Sequence, residues 1–329
     1  MELRDEVAAR YLAVRHAIPP IEWPVYAGDV AAILESKRRI GAAILAHNYQ
    51  DPVIFHGVAD VTGDSLALAE KARALDAEVL VVCGVTFMAE TVKLLNPQRT
   101  VLIPDLSAGC SLAASITAAD VRELKGKHPG VPVVAYVNTT VDVKAESTIC
   151  CTSANAVEVV RSLHADRVIF LPDRYLAEYV GSQTDVEIIA WQGKCEVHER
   201  FTADDIRELR ALFDGVDVLA HPECPAAVLA EADYVGSTSG MIRRLREHPP
   251  SCAALITECA MSDNVASEMP GIRFVRPCNF CPYMRKITLP SVRRSLETLT
   301  HEITIDPMVA GRARRAIDRM LEVGRGVSG

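Results

Sequence analysis

Apolar residues in this chain fall in short uninterrupted runs rather than in strict alternation. GAAILAHN, AEVLVVCG and TVLIPDL come first, then VPVVAYVN, DRVIFLP and VEIIAWQ, then VDVLAHP, ADYVGS, CAALIT and GIRFVRP. Between them lie stretches with helical spacing, near 30–39, 65–75 and 87–95 in the first third. Continuous apolar strands separated by helices predict βα units and parallel sheets covered on both faces. Residues 1–27 read as a leading amphipathic helix and a connector containing Pro19, Pro20 and Pro24. The tail reads as helical at Pro290–Thr300 and Pro307–Val323, and its apolar stripe is expected to pack back on the first unit.

The same polar signals recur where the runs end. Ala46-His47-Asn48-Tyr49, Ala135-Tyr136-Val137-Asn138 and Ala220-His221-Pro222-Glu223 each close a strand. Tyr49 to Tyr136 is 136−49 = 87 residues, and Tyr136 to Glu223 is 223−136 = 87. Gly63-Asp64-Ser65, Cys151-Thr152-Ser153 and Gly236-Ser237-Thr238 follow, each ahead of a helical pattern, and Phe87-Met88-Ala89-Glu90 is echoed by Tyr175-Leu176-Ala177-Glu178. Cys110, Cys195 and Cys281 keep step, at 195−110 = 85 and 281−195 = 86 residues. These phases predict three pseudo-threefold-related, three-layer α/β/α sandwich domains. Their expected extents are 28–109 (joined by 282–329), 110–194 and 195–281.

Composition narrows the class. Hydrophobic residues make up 49% of the 329, enough for several cores, and a net charge of −8 argues against nucleic acid as the main partner. No apolar run approaches the roughly 18 residues of a membrane span, and the N-terminus has no secretory core, so a cytoplasmic location is expected. Ten cysteines without such a signal favour reduced thiols and metal ligation over disulfides.

Cys195 follows the buried run VEIIA and precedes a helix start at Phe201-Thr202-Ala203-Asp204-Asp205, with Thr202 as N-cap. Open α/β sheets place their chemistry on such loops. Three thiolates converging from three units can hold a tetrahedral zinc or an iron–sulfur cluster. Structural zinc is normally closed by four ligands, often as two close pairs, and only one C-x-x-C is present (Cys278, Cys281). A three-cysteine [4Fe-4S] cluster leaves one iron open to substrate. Cys83, Cys150, Cys151, Cys224, Cys252 and Cys259 have no partner in the repeat and read as core or near-site thiols. A redox pairing of Cys278 with Cys281 would remove one ligand.

His47, Tyr49, Tyr136, Asn138, His221 and Glu223 sit at strand ends, and His198 lies three residues after Cys195. Singly, each would be a satisfied core side chain; as a repeated set flanking three cysteines they form a candidate site. Ser65, Ser153, Ser237 and Thr238 read first as helix N-caps, and helix starts also bind phosphate or carboxylate.

With these residues assembled, the chain resembles the quinolinate synthase family of de novo NAD biosynthesis. AHNYQ (46–50), GDSLALA (63–69), FMAETVKLLNP (87–97), AGCSLA (108–113), YVNT (136–139), VKAE (143–146) and CTSANAVEVV (151–160) carry the resemblance. So do LPDRYLAEYVGSQT (171–184), CEVHERFT (195–202), HPEC (221–224), GSTSGMI (236–242) and CPYMRKITL (281–289). The resemblance departs at Thr86, where histidine is common, and in the variable stretch 258–264. It implies three α/β/α domains around a [4Fe-4S] cluster held by Cys110, Cys195 and Cys281. It also implies substrate contacts from His47, Tyr49, Ser65, Tyr136, Asn138, Ser153, His198, His221, Glu223, Ser237 and Thr238. The implied reaction condenses iminoaspartate with dihydroxyacetone phosphate to give quinolinate, phosphate and two waters. Glu223 is the expected general base, with Tyr49, His198 and His221 as donors or positioning groups. Because iminoaspartate hydrolyses readily, coupling to an L-aspartate oxidase that supplies it is expected. An iron–sulfur hydro-lyase and a redox-cycling electron carrier are the competing readings; a carrier needs no convergent Glu/His/Tyr set.

Overall fold

The computed structural model describes residues 2–326. Its strands are β1 (Ala42–His47), β2 (Val61–Gly63), β3 (Val79–Cys83), β4 (Thr100–Leu102), β5 (Val133–Tyr136), β6 (Ile149–Cys151), β7 (Arg167–Leu171), β8 (Glu187–Ala190), β9 (Asp217–Ala220), β10 (Tyr234–Val235), β11 (Cys252–Ile256) and β12 (Arg273–Val275). They form three four-stranded sheets with one shared order: β2-β1-β3-β4, β6-β5-β7-β8 and β10-β9-β11-β12. Registers such as Leu45↔Val61, Ala135↔Cys150 and Leu255↔Leu219 are parallel, and helices lie between successive strands. The fold is α/β, as the apolar runs predict. The central strands β3, β5 and β11 are buried along their whole length, which explains why they read as unbroken runs.

By compactness the described residues divide in two: 2–109 with 258–304, and 110–257 with 305–326. Each predicted repeat stretch supplies one sheet, but residues 258–304 group with the first stretch. There the helix Cys259–Glu268 packs on Pro52–Phe55, and Leu289–Thr298 packs on the long helix Trp23–Ile40. That long helix absorbs residues 23–27 of the expected connector. Pro24 sits in its first turn, where the missing N–H costs nothing, and Gly41 closes it at φ +59°.

The final helix, Pro307–Gly326, corrects the expectation for the tail. It packs on the helix Val141–Glu146 and on β6, both in the second stretch. Ala313, Ala316, Ile317 and Met320 form its buried stripe, while Arg312 pairs with Glu146 at 3.2 Å and Arg319 donates to Thr148 O at 2.9 Å. The stripe was legible in the sequence; the surface that covers it was not. No helix among the described residues is long and apolar enough to cross a membrane.

Candidate active site

The loops bearing Cys110 and Cys195 are laced together. The Ser111 hydroxyl donates to Lys194 O at 3.3 Å and accepts the Glu196 N–H at 3.3 Å, and Trp191 Nε1–H donates to Ser115 O at 3.0 Å. Burial, the Glu223 carboxylate and the Cys110 thiol push Cys195 well above the ordinary thiol range, while the N–H groups of His198 and Val197 oppose them. Of the eight cysteines outside a disulfide, Cys83, Cys150, Cys151, Cys224 and Cys252 are buried. Only Cys110, Cys195 and Cys281 are partly exposed, so accessibility selects the same three thiols as the repeat spacing. Cys278 is bonded to Cys259 rather than to Cys281. The cause is local. Glu258 and Asn279 form a parallel bridge and Cys259 N–H donates to Asn279 O at 3.1 Å, which brings residue 278 alongside 259 and leaves Cys281 outside the disulfide.

The second compact unit gathers a dense polar cluster at the ends of β5 and β9. Tyr136 and Glu223 are 87 residues apart in sequence, yet the tyrosine hydroxyl donates to Glu223 Oε1 at 2.7 Å, with Asn138 Nδ2 at 3.4 Å from the same oxygen. Glu223 Oε2 lies 2.9 Å from His198 Nδ1, which also sits 3.2 Å from Cys195 Sγ. His198 Nε2 meets the Thr257 hydroxyl at 2.9 Å, and the His198 ring stacks on His221 with centroids 4.7 Å apart. Tyr136, His198, His221, Glu223 and Thr257 are all buried. Burial alone would raise Glu223, but the neighbouring His198 and His221 and the hydrogen bonds from His198 and Tyr136 outweigh it and hold the carboxyl down at about 2. An ionised carboxylate only accepts, so Nδ1 of His198 carries the proton that faces it.

In the first compact unit, His47 and Tyr49 sit edge to face at 4.7 Å, and the Tyr49 N–H donates to His47 Nδ1 at 3.2 Å. The third stretch repeats this local bond, with the Glu223 N–H and His221 Nδ1 at 3.4 Å. Tyr49 lines a cavity of about 270 Å³ together with Tyr26, Glu258, Met284 and Arg285.

The helix-start residues divide. Ser237 is a true N-cap, accepting the Gly240 N–H at 3.1 Å, and Thr238 is the first helical residue after it. Ser65 is also a first helical residue, but its cap is Asp64, so the N-cap expectation fails there. Ser153 stands in the turn ahead of Ala156–Ser162, where Asn155 holds the cap position. Asp64 precedes Ser65 as Ser237 precedes Thr238, each accepting the N–H three residues on, and Asp, Ser and Thr all make good caps, so sequence could not separate cap from neighbour.

Three buried residues near these groups escaped the sequence reading. Asp173 is wholly buried and held well above the carboxylate range by burial and by Glu223; Thr257 binds His198; Glu258 is raised to about 7, chiefly by burial. The signal of the two acids was present in the repeat, because 258−173 = 85 puts an acid after the third strand of the second and third sheets.

The donor set suits a metal. Cys195 Sγ, a His198 ring nitrogen and a Glu223 oxygen lie within 4.8 Å of one another, and partly exposed thiols, with the His198 and Val197 N–H groups turned toward that of Cys195, suit thiolate ligation of iron.

A family model described as NadA, Quinolinate synthetase A protein, matches residues 31–322. Quinolinate synthase 1 of Mesorhizobium japonicum is 63% identical over 316 residues, covering 96% of this chain and 98% of its own length. Quinolinate synthase of Agrobacterium fabrum is 58% identical over 316 residues (96% and 92%), and that of Xylella fastidiosa is 56% identical over 295 residues (90% and 87%).

Proposed function

This chain belongs to the quinolinate synthetase A protein family, and from that membership we propose that it is a quinolinate synthase of NAD biosynthesis. In this reading it condenses iminoaspartate with dihydroxyacetone phosphate, releasing phosphate and two waters. Cys110, Cys195 and Cys281 would hold a [4Fe-4S] cluster. When bound, that cluster would supply an iron with an open position, able to polarise a hydroxyl or carboxylate oxygen as a Lewis acid.

The observation that carries the proposal is the Tyr136–Glu223–His198 cluster. A buried carboxylate with Tyr136 and His198 as its close donors and a stacked histidine pair is what repeated proton transfer requires, and electron transfer alone does not. At about 2, Glu223 is a weak base while Tyr136 and His198 donate to it. Substrate that displaces either donor removes a stabilising bond from the carboxylate and raises its basicity, so binding itself readies the group to take a proton. His198 can then return a proton through Nδ1, and the Thr257 hydroxyl fixes its ring by holding Nε2. Asn138 orients Glu223, and His221 packs under His198. His47, Tyr49, Ser65, Ser153, Ser237 and Thr238 are assigned to substrate phosphate and carboxylates, on which helix starts act through free N–H groups.

The experiment is anaerobic reconstitution with iron and sulfide, then supply of both substrates and detection of quinolinate. The reconstituted protein should form quinolinate and the cluster-free protein should not. Cluster uptake without quinolinate would favour the electron-carrier reading.

A further inference from the structure

The helix after the third strand of every sheet opens with the same bond. Thr86 N–H donates to Ala108 O at 2.8 Å, Arg174 N–H to Gly193 O at 2.9 Å and Cys259 N–H to Asn279 O at 3.1 Å. Each accepting carbonyl lies two residues ahead of one of the three partly exposed cysteines: Cys110, Cys195 and Cys281. These donors belong to first-turn N–H groups, which have no partner within their own helix. The three cysteine loops are therefore docked at one offset on three equivalent helix starts.

Two copies add a carboxylate just before the helix. Glu258 Oε2 accepts the Ala260 N–H at 2.7 Å as a cap, and its Oε1 accepts the Cys281 N–H at 3.2 Å. Asp173 Oδ1 caps through the Leu176 N–H at 2.6 Å, its Oδ2 makes no hydrogen bond among the described residues, and the N–H groups of Cys195 and Tyr175 lie on the side of this carboxyl and favour its charged form. Parallel bridges Asp173↔Gly193 and Glu258↔Asn279 run beside both. The approach is close: a Cβ on Gly193 would collide with the Pro172 carbonyl and Ser115 Oγ. In the first copy Val85 has no capping side chain, and the Thr86 hydroxyl donates to Ala108 O at 2.9 Å instead. Capping alone does not explain buried acids here. The caps Asp51 and Asp64 of this chain keep contact with solvent, whereas Asp173 and Glu258 are 0% and 1% exposed, and burying a carboxylate is costly.

We propose that Asp173 and Glu258 are positioning residues that fix the backbone of Cys195 and Cys281, with Thr86 serving the loop ahead of Cys110. The proposal rests on the reading of those cysteines as cluster ligands. In Glu258 one carboxylate oxygen serves the helix cap and the other the ligand loop, while Asp173 is tied to its loop through the parallel bridge to Gly193. An amide offers one acceptor oxygen, and its NH₂ would face an N–H.

The test compares Glu258→Gln, Asp173→Asn and Thr86→Val with the wild type and with Thr117→Ala, which removes a cap from an exposed helix start. Each protein is reconstituted anaerobically. The half-time of loss of its visible absorption in an iron chelator is read beside the melting temperature of the cluster-free form. Both carboxylate variants should release iron at least about 10-fold faster than wild type, the usual scale for groups that support metal ligands. Thr86→Val should accelerate release less, and Thr117→Ala should lower the melting temperature with no acceleration. Wild-type half-times in Glu258→Gln and Asp173→Asn, or equal acceleration in Thr117→Ala, would overturn the positioning role while leaving the cluster reading intact. A wild-type protein that takes up no cluster would overturn both.

Discussion

Glu223 Oε2 and His198 Nδ1 lie 2.9 Å apart, both side chains almost fully buried, with Cys195 Sγ 3.2 Å from the same nitrogen. One ring nitrogen thus joins a carboxylate to the loop of a candidate iron ligand. Tyr136 and Asn138 converge on the other oxygen of Glu223, so the end of β5 holds a carboxylate that follows β9, a strand of another sheet, within one compact unit.

The thiols can be sorted by substitution. Cys110→Ser, Cys195→Ser and Cys281→Ser should each abolish the brown colour of the reconstituted protein and its quinolinate formation. Cys83→Ala and Cys151→Ala should keep both and lose only about 1 kcal/mol of stability, the cost of trimming a small buried side chain. Iron analysis of the five proteins decides it; full cluster content in Cys110→Ser would show that another set of thiols holds the iron.

Cap and contact can be separated at the serines. Ser237 caps its helix, so Ser237→Ala should cost about 1 kcal/mol of folding stability. Asp64 caps the helix that Ser65 begins, so Ser65→Ala should leave stability unchanged. If its hydroxyl binds substrate, apparent affinity should fall by about 1 kcal/mol or more, roughly fivefold. An unaltered KM in Ser65→Ala would remove that hydroxyl from substrate binding.

His56 predicts a pH effect on stability. Burial first, then the nearby His16, lowers it to about 4, although Glu268 and a backbone hydrogen bond pull the other way. The unfolded chain takes up this proton below about 6.5 and the folded one only below about 4, so stability falls as pH drops through that window and levels off beneath it. Because the ring is partly exposed, the loss is set at about 1–2 kcal/mol after screening. Denaturation of the cluster-free protein at pH 7.5 and pH 5 should show a smaller drop in His56→Gln than in the wild type. Equal drops would acquit His56.

The sequence made the sheets visible because their central strands are buried on both sides and so lack polar interruptions. The edge strands β2 and β6, three residues each, are closed in by polar residues, Asp60 and Asp64 or Thr148 and Thr152, and went unread. Cysteine phase singled out Cys110, Cys195 and Cys281, whose partial exposure then distinguished them from the core thiols. Glu223 stood out because it occupies a place where two other stretches have tyrosine. Its bond to Tyr136 was beyond reach, since one-dimensional phase says that two positions are equivalent and not that they touch. The Cys259–Cys278 pairing was hidden for a similar reason, because a bridge at Glu258 and Asn279 decides it, and short C-x-x-C spacing pointed elsewhere.

The role of Glu223 as the proton acceptor is tested most directly by turnover of Glu223→Gln after full cluster loading. The amide keeps the side-chain volume, and its oxygen can still accept from Tyr136, but its nitrogen cannot accept a proton. The account predicts normal iron content, retained substrate binding and a kcat lowered about 100-fold or more, the scale of general-base catalysis. Near-normal quinolinate formation by the fully loaded Glu223→Gln protein would contradict it.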